Sequence, residues 1–218
     1  NIKVSVMDSY GASCQSNSFS VTVNEVNSPP TIAIISDQTI NEGSNLSILV
    51  TGSDTDLPPQ TLTYALVNAP AGMSINSNTG TINWTPAEDQ GPFAYPNIRV
   101  SVADGQSSPV ESNPFSVTVN EVNTPPTINN ISDLTISELS PLTFSAAGAD
   151  TDLPLQILTY ALVNAPTGMS INANTGAISW TPAEDQGPFA YSNIRVSVTD
   201  SYGGFVQSNP FSVTVNEV

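Results

Sequence analysis

The stretch Phe115-Ser116-Val117-Thr118-Val119-Asn120-Glu121-Val122-Asn123-Thr124-Pro125-Pro126 decides the fold. Phe115, Val117 and Val119 alternate with Ser116, Thr118 and Asn120. That is the period of a strand with one face in a core and the other in water. The strand then meets an acid, an amide and two prolines. Each proline fixes its own φ and holds the preceding residue extended. The chain therefore passes to its next element through a short, stiff connection rather than a loose tether.

The string recurs as Phe19 to Pro30, with Ser28 in place of Thr124, and its first eight residues return as Phe211 to Val218. Working outward, Asn27-Ser28-Pro29-Pro30 returns as Asn123-Thr124-Pro125-Pro126, an offset of 96. Over residues 27–122 and 123–218, 69 of the 96 paired positions are identical. Residues 1–26 match 97–122 and 193–218. We expect three parts: 1–26, the C-terminal strands of a preceding and incomplete repeat; 27–122, one repeat; and 123–218, a second. A stretch as short as 1–26 cannot bury a core alone. Its strands are completed either by residues beyond this excerpt or by another chain.

Each repeat reads as strand throughout. In the first, Thr31–Ile35, Leu46–Thr51, Thr61–Leu66, Met73–Ile75, Thr81–Trp84, Asn97–Ala103 and Pro114–Asn120 are separated by turn sequences such as Asn78-Thr79-Gly80 and Asp104-Gly105. Short strands at this spacing, without helical periodicity, predict an all-β fold of tandem seven-stranded antiparallel Greek-key sandwiches stacked end to end. Trp84 and Trp180 are expected in the cores.

Composition narrows the function. Lys plus Arg total 3 against 19 Asp plus Glu, a net charge of -16. Nucleic acid, which needs basic surface, is excluded as a partner. The absence of histidine excludes Ser-His-Asp and Cys-His catalysis and imidazole metal sites. Cys14 is the only cysteine, and because it replaces Val110 and Val206 it is expected as a buried small hydrophobe. No apolar run is long enough to insert in a membrane.

The acids are patterned. Eighteen of the 19 recur at the 96-residue offset wherever comparison is possible; Glu111, opposite Gln207, is the exception. Several come in short clusters: Asp54-x-Asp56, Glu88-Asp89 and Glu121-x-Asn123. Carboxylates placed together repel, so a fold that groups them repeatedly points to a cation among them. Oxygen-only ligands suit a hard cation, and Ca2+, with about six to eight oxygens in flexible geometry, suits them best.

These residues, in this order, resemble a cadherin repeat, and more closely the bacterial and dystroglycan-type cadherin-like (Ig-like sandwich) relatives. Glu42-Gly43 is similar to the early Glu of that pattern, Asp54-Thr55-Asp56 to its DxD, and Leu62-Thr63-Tyr64-Ala65-Leu66 to its LTYSL strand. Asn78-Thr79-Gly80-Thr81-Ile82 resembles its TG-x-I turn, Glu88-Asp89 its LDRE acids, and Val100 to Asp104 its V-x-A-x-D strand end. Glu121 to Pro126 resembles the linker that closes a repeat.

The resemblance implies Ca2+ at the junctions of repeats. It nominates Glu42, Glu88, Asp89, Glu121 and Asn123 with Asp150, Asp152 and Asp200 at one junction. At the other it nominates Glu25 and Asn27 with Asp54, Asp56 and Asp104. Glu138, Glu184 and Asp185, with Glu217 in the linker position, are the next set. Two departures, Thr124 where the family commonly has Asp and adjacent rather than spaced acids at Glu88-Asp89, imply fewer ions per junction than a typical cadherin holds.

The leading expectation is an extracellular, cell-surface array: a stalk, adhesin shaft or surface filament made rigid by calcium, partnered by neighbouring repeats, by homotypic assembly into filaments, or by a cell-surface or glycan partner. The competing one is a carbohydrate- or protein-binding accessory module of a secreted protein, using the loop aromatics Phe93, Tyr95, Phe189 and Tyr191; the plainer reading packs those rings under their loops. No catalytic residue is assigned, and an enzyme is the weakest reading.

Overall fold

The computed structural model describes residues 1–218. Regular structure is strand apart from two single 3-10 turns, Glu88–Gln90 and Glu184–Gln186. The chain divides into two compact units. The first gathers Asn1–Ser36, Ser47–Asn83 and Pro96–Phe115; the second gathers Asp37–Leu46, Trp84–Tyr95 and Ser116–Val218.

The second unit contains a complete sandwich within 123–218. One sheet runs Leu134–Ser137, Phe211–Asn216, Phe189–Thr199, Thr159–Val163, with Phe205–Gln207 added on Phe189–Thr199. The facing sheet is Leu142–Ser145, Ala177–Trp180, Ser170–Ile171. Alternation does what the sequence predicts: Phe211, Val213 and Val215 point into the core while Ser212, Thr214 and Asn216 do not. Ile194, Val196, Val198, Ile178 and Trp180 meet them there. Full burial of each such side chain contributes roughly 1.5–3 kcal/mol before the entropy of ordering is set against it. Trp180 stacks edge-on against Tyr191, their ring centroids 5.3 Å apart.

The same unit holds Gln38–Asn41 paired in parallel with Val117–Asn120, and Trp84 edge-on to Tyr95 at 5.2 Å. In the first unit Thr63–Val67 pairs antiparallel with Arg99–Ala103, Val110–Glu111 pairs with Ser101–Val102, and Ile82, Ile98, Val100 and Val102 are fully enclosed.

The all-β sandwich expectation and the buried tryptophans hold, with Trp84 and Trp180 at 1% and 2% exposure. Three details differ. The sandwich is not wholly antiparallel: Leu134–Ser137 and Gln38–Asn41 each lie parallel to the last strand of their repeat. Thr39 and Ile40 favour a strand, but four residues are too short a run to show it in sequence, and the hydrogen-bonding edge of the neighbouring strand completes it. The long strand expected from Asn97 starts at Phe93, and its equivalent in the second repeat at Phe189, where a bulge between Tyr191 and Ile194, with Asn193 at φ 60°, lets the pairing continue. Cys14 is exposed rather than buried, since the hairpin Ser5–Met7 with Ser13–Gln15 is exposed on both faces.

Candidate metal centre

Three carboxylates meet in the second unit. Ligand-capable oxygens of Glu42, Glu88 and Glu121 all lie within 4.8 Å of one another. Each arrives on a different element. Glu42 follows the parallel strand Gln38–Asn41, and its backbone N–H donates to Asn120 O at 3.0 Å. Glu88 opens the 3-10 turn, which is closed by Gln90 N–H donating to Ala87 O at 2.9 Å, with Ala87 N–H donating to the Gln90 side chain at 3.0 Å. Glu121 follows the last strand directly.

The oxygens divide into two kinds. Glu42 Oε1 accepts the Val122 N–H at 2.9 Å, and Glu88 Oε1 accepts the Leu153 N–H at 3.0 Å. Asp150 Oδ1 accepts the Asp152 N–H at 3.0 Å, and Asp152 Oδ2 accepts the Thr124 N–H at 2.7 Å. The backbone thus anchors one oxygen of each carboxylate. Three of the second oxygens, Glu42 Oε2, Asp150 Oδ2 and Asp152 Oδ1, are buried and unbonded, as are both oxygens of Glu121. Glu42 is only 6% exposed and Asp152 only 1%. A buried anion without a donor is costly, and several facing one another are costlier.

The local charge answers accordingly. Glu121 is pushed up to about 7, first by burial and then by the charges of Glu42, Glu88 and Asp152. In the first unit Glu25 is raised in the same direction, by desolvation and then by Asp56 and Asp54.

Gly91 makes room for this arrangement. A Cβ there would stand 2.6 Å from Glu42 Oε2 and 3.3 Å from a Val119 methyl. Gly187 stands in the same relation to Glu138, at 2.7 Å. Glu138, 1% exposed, likewise has one oxygen on a backbone N–H, that of Val218 at 3.3 Å, and the other unpartnered; Glu184 and Glu217 lie beside it. Hard, anionic oxygens with free lone pairs are the donor set a divalent cation such as Ca2+ takes, so the residues present fit the ion.

The remaining nominated residues sit differently. Asp200 accepts N–H groups of Tyr202 and Gly204, both at 2.8 Å, and the Asn123 amide at 3.0 Å. Burial alone would raise Asp200, but those donors outweigh it and hold it low. Asp104 is held well below the usual carboxylate range, first by the Ser107 N–H, then by the Asn27 amide and the Gln106 N–H. Asp56 Oδ2 accepts the Ser28 N–H at 2.8 Å, while Asp54 Oδ2 is buried and unbonded. Asp89 and Asp185 are exposed on their turns.

Two residues the sequence reading missed are Gln60 and Gln156. Gln156 Nε2 donates to Asn123 Oδ1 at 2.7 Å and to Asp152 Oδ2 at 2.9 Å. Gln60 does the same to Asn27 and Asp56, at 2.7 and 3.3 Å. Their recurrence at the 96-residue offset was the available signal. The one acid off the repeat, Glu111, faces Arg99 at 3.8 Å, an ordinary surface pair. Of the loop aromatics, Tyr95 packs on Trp84 and donates its hydroxyl to Gln90 O at 3.0 Å, whereas Phe93 and Phe189 stay 57% and 58% exposed. The rings therefore split between the two readings given for them.

Among solved structures, the fold is similar to mouse cadherin-23 EC22–24 (20% identity, 89% of this chain and 67% of that one, TM-score 0.52). It is also similar to protocadherin gamma B2 extracellular cadherin domains 1–5 (17%, 89% and 40%, TM-score 0.58). A third is Drosophila N-cadherin EC1–4 (13%, 87% and 50%, TM-score 0.52). The chain spans half or less of the last two. At these identities the likeness is one of fold. No curated protein matches the sequence. The family described as "Putative Ig domain" matches residues 29–120 and 125–216. The chain belongs to that Ig-like family, as two tandem, cadherin-like repeats.

Proposed function

We propose that this chain is a segment of an extracellular structural and adhesive repeat array, with Ca2+ bound where one repeat meets the next. Glu42, Glu88 and Glu121 from one side, with Asp150 and Asp152 from the other, supply the oxygens. The observation that carries this reading is the set of buried carboxylate oxygens with no donor, each on a side chain whose other oxygen is fixed by a backbone N–H, apart from Glu121, which offers both.

The cation removes the repulsion among these acids and ties the linker to both repeats. Such low-affinity sites suit millimolar calcium, which is found outside cells, with Kd on the order of 10⁻⁴–10⁻³ M. Glu138, Glu184 and Glu217 form the corresponding set for a following repeat, and Glu25, Asp54 and Asp56 contribute to that for a preceding one. The repetition suits a spacer more than a pocket.

The test is chelation. Calcium at about 100 times Kd stabilises by roughly 2.7 kcal/mol, on the order of 5–10 °C in Tm for a chain of this size. EDTA removes that increment, and Glu121→Gln removes most of the calcium dependence without EDTA. Identical melting curves with and without calcium would overturn the reading.

A further inference from the structure

The junction acids are divided, and the division points to something the acid pattern hides. Asp152 faces two ways. Its Oδ1 is buried and unbonded, and its charge is near enough to act on Glu121. Its Oδ2 is already saturated, by the Thr124 N–H at 2.7 Å and by Gln156 Nε2 at 2.9 Å. Beyond it, Asn123 offers Oδ1 to the same Gln156 nitrogen at 2.7 Å and turns its own Nδ2 to Asp200 at 3.0 Å. Asp200 is completed by the backbone.

The chain Gln156, Asn123, Asp200 therefore delivers a protein donor to each of these oxygens. The acceptors fix which way the amides face, since a carboxylate can only accept. A Ca2+ ion bound to Asn123 Oδ1 and Asp152 Oδ2 together would need about 2.3–2.6 Å to each. The Gln156 nitrogen occupies that space. The first unit repeats the arrangement with Gln60, Asn27, Asp56 and Asp104.

We infer that Gln156 and Gln60 are neutral stand-ins for a cation: each amide closes off the second half of its junction, so that Asn123 and Asp200, and likewise Asn27 and Asp104, lie outside the ligand set and the ion is confined to the glutamate side. This inference rests on the proposed calcium reading and sets how many ions it takes and where. The amide does locally what the ion does elsewhere. Its two N–H groups satisfy oxygens that would otherwise repel, without needing any dissolved ion, so this half of the junction stays assembled when calcium is withdrawn. Asp152, shared by both halves, holds its free oxygen toward the ion because its other oxygen is clamped.

The experiment counts ions. Calcium bound per chain is measured by equilibrium dialysis, with terbium luminescence as a second readout, for the full chain and for Gln156→Glu, Glu121→Gln and Asp200→Asn. Glu121→Gln is expected to lose an ion. Gln156→Glu puts a carboxylate where the amide was and is expected to gain one, with a lower Tm in EDTA and a higher one in calcium than the parent. Asp200→Asn is expected to leave calcium affinity within twofold, because Asp200 is not a ligand. If Glu121→Gln loses no ion, the calcium reading itself fails. If Glu121→Gln loses its ion but Gln156→Glu gains none, or Asp200→Asn weakens calcium binding tenfold or more, the stand-in is wrong while the calcium reading stands.

Discussion

Two groups of acids lie side by side in the second unit and behave oppositely. Both oxygens of Glu121 and Oε2 of Glu42 beside it are buried and unbonded, and the pKa of Glu121 is raised to about 7. Around Asp200 an equally buried carboxylate is surrounded by three donors and its proton affinity is lowered. In the sequence both are simply acids that recur at the 96-residue offset. What separates them is the donor count: grouped carboxylates leave oxygens free for a cation only where the fold withholds hydrogen bonds.

The largest expected effect breaks the packing under the first group. Gly91 is extended, at φ -117° and ψ 161°, so alanine is allowed by the backbone, yet its Cβ would press on Glu42 Oε2, which is buried and cannot swing away. Gly91→Ala should cost about 1–3 kcal/mol and abolish the calcium-dependent part of the Tm. Gly187→Ala, against Glu138, should destabilise to a similar degree. Thermal melts with and without calcium check both.

The next effect separates the groups by pH. Without divalent cation, Glu121 binds its proton more tightly folded than unfolded. Its stabilising contribution is complete below its ordinary value near 4.5 and is lost as pH rises toward 7. Asp104 and Asp200 are depressed, so their contribution is complete above their ordinary 3.8 and is lost only as pH falls below it. Between pH 5 and 8 in EDTA the Tm should therefore fall. Calcium, replacing the proton, should flatten that slope, and Glu121→Gln should remove Glu121's share of it. A Tm that rises across this window in EDTA would show that the glutamates are not crowded in solution.

The smallest effect compares the repeats away from either group. Gly43 and Leu139 are equivalent and both left-handed, at φ 66° and 61°. Leucine there bears a cost of about 1–2 kcal/mol, partly offset by the greater freedom that glycine has when unfolded. Leu139→Gly should stabilise by roughly 0.5–1 kcal/mol, and Gly43→Leu, with open space around its Cβ, should lose a similar amount through backbone strain alone. Denaturant midpoints measure the pair.

Much of this was legible in the sequence. The 96-residue offset, the strand alternation of Phe115 to Asn120 and the buried tryptophans follow from residue patterning, which is local. The grouping of Glu42, Glu88 and Glu121 had no local pattern behind it; only the resemblance to a cadherin repeat implied it, and the fold brings those three together. The parallel pairing of Gln38–Asn41 was not legible, since its partner strand is some 80 positions away in sequence and four residues are too few to show an alternation. Nor was the part taken by Gln156, a neutral residue whose role depends on which oxygens it reaches.

The sandwich, its repetition and the side chains that carry the charge can be read from residue order, because burial follows the spacing of apolar residues and charge follows composition. Which oxygen of each carboxylate is spoken for emerges only from the folded arrangement. Hydrogen-bond satisfaction is set over a few ångströms between residues that the chain brings together from far apart, and no local pattern encodes it.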